Sequence, residues 1–159
     1  MADSAVRIAV EDPRDHLVQA LLRRHLTFAA EYSPPDQVFA LDVDGLLDPA
    51  VTLYGVRLNS TLLGLGALKR LDARHVEVKS MHIAEEARGR GLGRLMLNHL
   101  LDTARAEGFH RVSLETGSMD AFITARRLYA DVGFVDCGPF AQYEASEWST
   151  FMTLHLETL

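Results

Sequence analysis

Apolar and polar residues alternate along several short stretches of the chain, which is the pattern of a β-strand with one buried face. Two of the longer stretches are separated only by Asn59-Ser60, a pair that favours a tight turn and therefore an antiparallel hairpin. Glycine and other turn-forming residues bound the remaining stretches. The pattern predicts strands at residues 6–10, 51–58, 61–71, 76–83, 111–115, 134–137 and 150–156.

Other stretches repeat their apolar residues every three or four positions, as amphipathic helices do. The first begins at Asp12 and Pro13, which suit a helix cap and a first turn, and it ends near Tyr32 because Ser33 precedes a proline. A proline corner at 33–36 opens a short second helix, and it either walls a substrate pocket or is a plain turn between helices. The predicted helices are 13–32, 37–41, 92–107 and 120–132.

The order of these elements, β-α-α-β-β-β-α-β-α-β-β, predicts a mixed α/β sheet. The strand–helix–strand unit around residues 76–115 implies two parallel strands there, and the hairpins imply antiparallel neighbours elsewhere. A chain of 159 residues, 48% of them hydrophobic, suffices for one domain with its own core. A single domain over residues 1–159 is therefore expected.

The third predicted strand has an irregular pattern. Val76 and Val78 share one face by alternation, whereas Met81 and Ile83 fall on the other. An extra residue in a β-bulge would produce this switch and would splay the strand from a neighbour. A strand covered on both faces would also scramble the alternation, so both interpretations remain open.

A glycine-rich arginine loop, residues 88–93, joins this strand to the next helix. Glycine lets the backbone approach a ligand closely, and the first amides of a helix have no partner inside it. The helix dipole adds partial positive charge, and Arg88, Arg90 and Arg94 add full charges. In a chain of net charge −6, this concentration predicts a site for a phosphate or pyrophosphate.

Charge and composition exclude several other classes. The net charge of −6 argues against a nucleic-acid partner, which needs a basic face. Residues 1–10 lack the features of a signal peptide, and 51–68 is too polar to span a bilayer, so no membrane association is expected. The single Cys137 cannot form an internal disulfide, which favours a reducing cytoplasm. We expect no metal cofactor.

Three kinds of phosphate ligand compete for the loop. A dinucleotide fold needs G-x-G-x-x-G, and here the third glycine, Gly93, comes one position early, although Glu115 does end the next strand. A P-loop needs a Gly-Lys-Ser/Thr ending, which is absent. Acetyl-coenzyme A is the third.

The residues at this point resemble the GNAT superfamily of acetyl-CoA-dependent N-acetyltransferases. Arg88, Gly91 and Gly93 match its Arg/Gln-x-x-Gly-x-Gly/Ala motif, with Gly89 in the common Arg-Gly-x-Gly form. A second motif, Ala-x-x-Leu-Tyr-x-x-x-Gly-Phe, stands at 125–134. A narrower resemblance, to YsnE-like bacterial acetyltransferases, lies in the segments 33–35, 66–69, 77–81 and 114–118.

The sequence departs from the family pattern at two places. Glu85 and Ala87 replace the proline and tyrosine that often precede the arginine, and Phe122 replaces a frequent asparagine before the second motif. One side-chain contact to the cofactor is therefore in doubt, whereas a cradle of backbone amides is unaffected.

The resemblance implies a single-domain GNAT fold, with a mixed, mostly antiparallel sheet flanked by helices and splayed near the acetyl-CoA site. It implies direct transfer of an acetyl group from acetyl-CoA to a primary amine of a small molecule or peptide. The strand before the loop would pair with the pantetheine arm of the cofactor, and the loop would hold the pyrophosphate. The implied cofactor-binding residues are Met81, His82, Ile83, Arg88, Gly89, Arg90, Gly91, Leu92, Gly93 and Arg94.

For the catalytic roles, the resemblance implies one residue as the acid and several alternatives as the base. Tyr129 matches the tyrosine that protonates the leaving thiolate in the family; its alternative is a packing role. The base is Glu77, Glu115 or His82, in falling order of preference, or no side chain at all. Each of the three could instead be structural.

Lys79 lies between apolar residues in a central strand and needs a partner. Its partner is either a carboxylate of the chain, Glu77 or Glu115, or a carboxylate on the substrate. We accordingly assign Lys79 and Glu115 to substrate binding.

Two other functions compete with catalysis on an amine. A catalytically degenerate GNAT domain would bind acetyl-CoA as a sensor or interaction module, and a nucleotide-dependent oxidoreductase would bind NAD. Sheet edges and the late strands could also pair between subunits, so a homodimer is a further expectation.

Overall fold

The computed structural model describes residues 6–156, so the ends of the predicted domain, 1–5 and 157–159, lie outside the described part. Its centre is a seven-stranded sheet in the order β1-β2-β3-β4-β5-β7-β6. Only β4 and β5 pair in parallel, and the other neighbours are antiparallel. The strands are β1 Val6–Val10, β2 Val51–Leu58, β3 Thr61–Arg70, β4 His75–Ile83, β5 Arg111–Gly117, β6 Val135–Cys137 and β7 Ser149–His155.

Helices flank this sheet, which confirms the predicted α/β architecture. They are α1 His16–Tyr32, α2 Val43–Leu46, α3 Leu92–Ala106 and α4 Ile123–Val132. The apolar stripe predicted for α3 is its buried face, and Met96, Leu97 and Leu100 are completely buried in the core. Both α1 and α3 pack against β3.

The start of α1 corrects one prediction. Asp15, not Asp12, caps this helix, because its Oδ1 accepts hydrogen bonds from the amides of Leu17 and Val18 at 2.9 and 3.2 Å. Asp12 begins a separate turn, in which its carbonyl oxygen accepts from the Asp15 amide at 3.0 Å. Pro13 therefore lies in that turn, before the helix begins at His16.

The predicted short helix at 37–41 is wrong. A 3-10 turn, Pro35–Gln37, follows the proline corner, and the chain then runs without regular structure to α2. Helix α2 starts later because Asp42 caps it, with its Oδ1 accepting from the Gly45 amide at 2.9 Å. Val38 and Phe39 consequently lie on an irregular segment that borders the main cavity.

The irregular pattern in β4 is a β-bulge. Leu65 of β3 pairs with His82, but Ala67 pairs with Lys79, so Ser80 and Met81 together oppose Gly66. Ser80 has a φ of 58°, in the left-handed region that non-glycine residues rarely adopt. The bulge interpretation is thus confirmed.

The parallel pair β4–β5 is short, and this splays the sheet. The two strands pair only from His75 with Arg111 to Glu77 with Ser113. Beyond Glu77 the two strands diverge, although each continues for several residues. The bulge lies within this unpaired part of β4, so the opening between the strands is fixed by local backbone geometry.

Candidate active site

A cavity of about 550 Å³ fills the opening between β4 and β5. Its walls come from β4, the arginine loop, the end of β5, helix α4, helix α1 and the irregular segment after α1. Most of the predicted site residues border it. They are Lys79, Met81, His82, Ile83, Arg88, Gly89, Gly91, Leu92, Gly93, Arg94, Glu115 and Tyr129. Two predicted residues, Glu77 and Arg90, do not border this cavity.

The arginine loop enters α3 with two glycines in the left-handed region. Gly89 has a φ of 81° and Gly91, the N-cap of α3, a φ of 76°. No side chain caps the helix, and within residues 6–156 the amides of Leu92, Gly93 and Arg94 have no protein acceptor. These amides are free to bind an anion at the mouth of the cavity.

Two arginines border the cavity beside these amides. Arg88 Nε donates to the Ile83 carbonyl oxygen at 3.2 Å, and Arg94 lies 3.6 Å from the exposed Asp131 carboxylate. Both contacts are solvent-exposed and therefore weak. The guanidinium groups can thus turn towards a bound phosphate at little cost.

Gly93 fits between α3 and α4 for a steric reason. A Cβ at this position would lie 3.2 Å from Leu128 Cδ2, closer than most real contacts. The glycine therefore lets the start of α3 approach the helix that carries Tyr129. This close approach brings together the two sequence motifs, which most of α3 and the strand β5 separate along the chain.

Tyr129 lies at the side of the cavity with its ring packed on Phe134, 5.8 Å between centroids. Its side chain is buried, yet its hydroxyl has no hydrogen-bond partner within residues 6–156. Burial, and then the charge of Glu115, raises the pKa of this hydroxyl. Tyr129 therefore stays protonated and can donate a hydrogen bond to a group in the cavity.

Glu77 is held in a buried cluster with Lys79 and Tyr143. The Lys79 ammonium donates to Glu77 Oε2 at 3.2 Å and to the Tyr143 hydroxyl at 2.8 Å. That hydroxyl in turn donates to Glu77 Oε2 at 2.5 Å. Burial, followed by the charge of Glu77, raises the pKa of Tyr143. The partner of Lys79 is thus a carboxylate of the chain itself.

Glu115 is placed differently from Glu77, because it borders the cavity. Its Oε2 accepts a hydrogen bond from Ser149 Oγ at 2.7 Å. Burial raises the pKa of this carboxyl group, which the Ser149 bond and the charge of Lys79 partly offset. The carboxylate is the acidic group best placed to meet a cationic ligand in the cavity.

His82 faces a second histidine, His25 of α1, which the sequence analysis did not assign to the site. Its Nδ1 lies 3.2 Å from Nδ1 of His25 on α1, and the rings meet at an interplanar angle of 64°. Burial, and then Lys79, lowers the pKa of His25 to about 4. Burial, then His25 and two arginines, lowers the pKa of His82 to about 3. No local signal could have found this pair, since 57 residues separate its members.

Phe122, which replaces a frequent asparagine of the family pattern, makes aromatic contacts instead of polar ones. Its ring lies 5.4 Å from Phe28 and 6.4 Å from Tyr32, both on α1. It also covers the backbone of Gly117, where any Cβ would collide with the ring. Phe122 thus connects α1 to the start of α4 at one end of the cavity.

Residues 6–156 contain no group of three or more side chains suited to hold a metal ion. No helix among them has the length and apolar character needed to cross a membrane.

The chain resembles known acetyltransferases in sequence. The profile of the acetyltransferase (GNAT) family matches residues 16–134. The uncharacterized N-acetyltransferase YedL of Escherichia coli (strain K12) is 42% identical over 149 residues, which are 94% of each chain. The uncharacterized N-acetyltransferase YsnE of Bacillus subtilis (strain 168) is 38% identical over 151 residues, 95% of this chain and 100% of YsnE.

The architecture recurs in a solved structure. A GNAT family acetyltransferase from Elizabethkingia anophelis, crystallised with acetyl-CoA bound, matches with a TM-score of 0.72 at 18% identity. The match covers 97% of this chain and 99% of that one. At this identity the likeness shows a common fold, and the fold expected from the motifs is confirmed.

Proposed function

Because the chain belongs to the GNAT family of acetyltransferases and is an acyltransferase, we propose that it transfers the acetyl group of acetyl-CoA to a primary amine of a small molecule or peptide. The resemblance that the two sequence motifs predicted, to the family and to YsnE, is confirmed. The observation that carries the proposal is the set of free amides at the start of α3, which lie beside the cavity that Tyr129 also borders.

The pyrophosphate of acetyl-CoA fits the arginine loop. The amides of Leu92, Gly93 and Arg94 can donate to its oxygens, and the dipole of α3 and the nearby guanidinium groups complement its charge. Arg88 and Arg94 border the cavity, whereas Arg90 is exposed outside it and contributes only at longer range. The Elizabethkingia enzyme with this fold carries acetyl-CoA.

The pantetheine arm fits the opening between β4 and β5. Past Glu77, the edge of β4 that faces β5 forms no strand pairing, so its backbone groups can pair with the amides of an extended ligand. Met81, His82 and Ile83 lie in this part. The arm would run from the loop towards the bulge at Ser80, and this brings the thioester into the cavity.

The reaction at the thioester is direct attack by the amine. Its nitrogen forms a bond to the carbonyl carbon, the carbon–sulfur bond breaks, and the electron pair leaves on sulfur. Tyr129 donates a hydrogen bond to the departing thiolate and protonates it, and the proton that the nitrogen loses as the amide forms restores the Tyr129 hydroxyl. Because burial raises the pKa of Tyr129, the hydroxyl keeps its proton until negative charge develops on sulfur.

Glu115 and Lys79 take different parts in holding the amine. A substrate ammonium would approach the Glu115 carboxylate, which borders the cavity with one oxygen bonded to Ser149. Lys79 already balances Glu77, so an additional carboxylate on the substrate is not needed to satisfy it. The acceptor we favour is a cationic amine without a required acidic group.

Glu77 as the general base stays a prediction. Its Oε2 is bonded to Tyr143 and Lys79, and it does not border the cavity, so a proton could reach it only through Lys79 or Tyr143. These contacts support a structural role for Glu77, which holds the Lys79 ammonium in place. The cytoplasm as the site of reaction and a homodimeric assembly also stay predictions.

Calorimetry with acetyl-CoA, combined with thiol release over a panel of amines, tests this function. The panel should contain polyamines, arylalkylamines, amino acids and a peptide with a free amino group. We expect binding of acetyl-CoA and thiol release that depends on at least one amine. Tight binding without amine-dependent thiol release would instead support a sensor module, and binding of NAD but not acetyl-CoA would support an oxidoreductase.

A further inference from the structure

We propose that His25 and His82 form a two-ring proton relay, which carries the proton of the acceptor amine from the cavity to water. The proposal rests on the proposed acetyl transfer. It supplies a general base for that reaction, which the contacts of Glu77 leave without one. His82 would touch the acceptor and be the catalytic residue. His25 would act through His82, as its positioning partner and the exit for the proton.

The distance between the rings fixes how their protons are arranged. Two Nδ1 atoms 3.2 Å apart repel each other unless one carries a hydrogen and donates it to the other. The ring that donates from Nδ1 is then unprotonated at Nε2, and the ring that accepts carries its hydrogen at Nε2. The pair therefore always presents one basic nitrogen and one N–H group at its two ends.

Both ends are accessible. Within residues 6–156, neither Nε2 has a hydrogen-bond partner, and neither is among the side-chain atoms that are buried without one. Both rings border the cavity. His82 lies in β4, two residues beyond the bulge residue Ser80, on the segment where we place the thioester, whereas His25 belongs to helix α1.

Burial, and then the charges around the pair, disfavour the protonated form of both rings. The charge of Lys79 lowers the pKa of His25, and those of Arg88 and Arg24 lower the pKa of His82, where the charge of Glu86 acts in the opposite direction. Glu86 is itself paired with Arg24 at 2.7 Å. A predominantly cationic surrounding disfavours an imidazolium ion. The pair is therefore poorly suited to store a proton.

In a relay, neither ring has to hold the extra proton as an imidazolium ion. An ammonium with an ordinary pKa of about 10 would lose its proton to the His82 ring, of pKa about 3, against a factor of about ten-millionfold. If the proton is passed on to water at pH 7, the opposing factor is only on the order of a thousandfold. The low basicity that makes either ring a weak base alone is thus no obstacle to a relay.

Each ring gains one proton and loses one. His82 Nε2 takes a proton from the substrate ammonium, and the Nδ1 hydrogen of His82 moves to Nδ1 of His25. The Nε2 hydrogen of His25 passes to water, and the neutral amine is left to attack the thioester. Both rings end as the opposite tautomers, and they return to the starting arrangement by the reverse exchange with water before the next substrate binds.

The test compares His25→Gln, His82→Gln and the double variant, with His110→Gln as a control at an exposed histidine. For an acceptor that the wild-type enzyme acetylates, we expect kcat at pH 7 to fall about 100-fold in either single variant. The double variant should fall no more than a few-fold further, because both rings act as one unit. The Kd for acetyl-CoA should not change, and the control should behave as wild type.

Two further readouts separate a relay from a structural role. The loss should shrink to less than about tenfold with methoxyamine, a weakly basic amine that is already neutral at pH 7. Added imidazole should restore part of the activity of His25→Ala. Wild-type kcat in the glutamine variants, or an equal loss with methoxyamine and no rescue, would overturn the relay.

The relay and the proposed function fail in distinguishable ways. If the wild-type enzyme releases no thiol with any amine, the acetyl-transfer proposal itself fails. If the wild-type enzyme is active and the histidine variants match it, only the relay fails. A lowered melting temperature in folded variants that keep wild-type kcat belongs to the second case.

Discussion

Tyr129 shows how burial prepares a side chain for one task. Its ring is fixed against Phe134, and its hydroxyl has no competing partner in the described part of the chain. The hydroxyl is not among the side-chain atoms that are buried without a partner, so it is open to the cavity and can bond a group that the ligand supplies. The raised pKa then makes it a hydrogen-bond donor over the whole physiological range.

Replacement of this hydroxyl should therefore affect the reaction and not the fold. We predict that Tyr129→Phe lowers kcat about 100-fold, because the leaving thiolate loses its proton donor. The melting temperature should stay about the same, since the hydroxyl opens to the cavity and makes no hydrogen bond to another residue in the described part of the chain. Steady-state thiol release and thermal unfolding measure the two effects.

Tyr32→Phe provides the matched control, because Tyr32 is exposed and outside the cavity lining. Unchanged kcat in Tyr129→Phe would show that Tyr129 serves packing alone.

The loop and helix that hold the pyrophosphate depend on backbone conformation more than on side chains. Gly91 has open space around it, so its φ of 76° is the only reason for a glycine there. An L-residue with a Cβ is strained in this conformation by roughly 1–2 kcal/mol. The first turn of α3 and its free amides are set by that one residue.

We predict that Gly91→Ala lowers the free energy of unfolding by about 1 kcal/mol and weakens acetyl-CoA binding about tenfold or more. Strain at the N-cap would shift the amides away from the anion. Denaturant unfolding and calorimetry measure these changes.

Gly138→Ala is the control, because Gly138 has open space around it and no left-handed φ. Equal behaviour of the two variants would contradict the assigned role of the arginine loop.

Local patterns predicted the elements whose signal lies within a few residues. The bulge in β4 was visible because Val76 and Val78 differ in parity from Met81 and Ile83. The short helix at 37–41 was wrong because five residues cannot distinguish a helix from an irregular segment, and the cap at Asp42 shifted the helix onward. The start of α1 was placed too early because Asp12 and Asp15 both suit a helix cap, and the sequence alone does not show which of them is used.

Contacts between distant segments could not be predicted in this way. Glu77 meets Tyr143 across 66 residues of sequence, and His25 meets His82 across 57. Each pairing depends on how a helix or loop lies over the sheet. The motifs therefore predicted the acetyl-CoA side of the site, whose residues are close in sequence. They did not predict how groups are arranged around the amine acceptor.

At the scale of the whole molecule, the buried histidine pair links stability to pH. Both rings are neutral in the folded protein, with pKa values lowered to about 4 and about 3, but have an ordinary pKa of about 6.5 when unfolded. Between these values the unfolded chain binds more protons than the folded one, so stability falls as pH falls. Glu115, whose pKa is raised, acts in the opposite direction.

We predict that the free energy of unfolding of the wild-type protein falls by roughly 4 to 5 kcal/mol more than that of the His25→Gln/His82→Gln variant between pH 7 and pH 4.5, about half from each ring. The difference between the two proteins isolates the histidines from the carboxylates. Urea unfolding at a series of pH values measures it. Parallel curves for the two proteins would show that the pair is not buried and neutral in solution.

The central claim is that the cavity between β4 and β5 moves an acetyl group from acetyl-CoA to an amine. NMR spectroscopy of the purified protein with acetyl-CoA labelled with carbon-13 at the carbonyl group tests it directly. With an amine that stimulates thiol release, the thioester signal should be replaced by that of an N-acetyl amide, and the Tyr129→Phe variant should slow this conversion. A label that stays in the thioester with every amine, or that appears only as free acetate, would contradict the account.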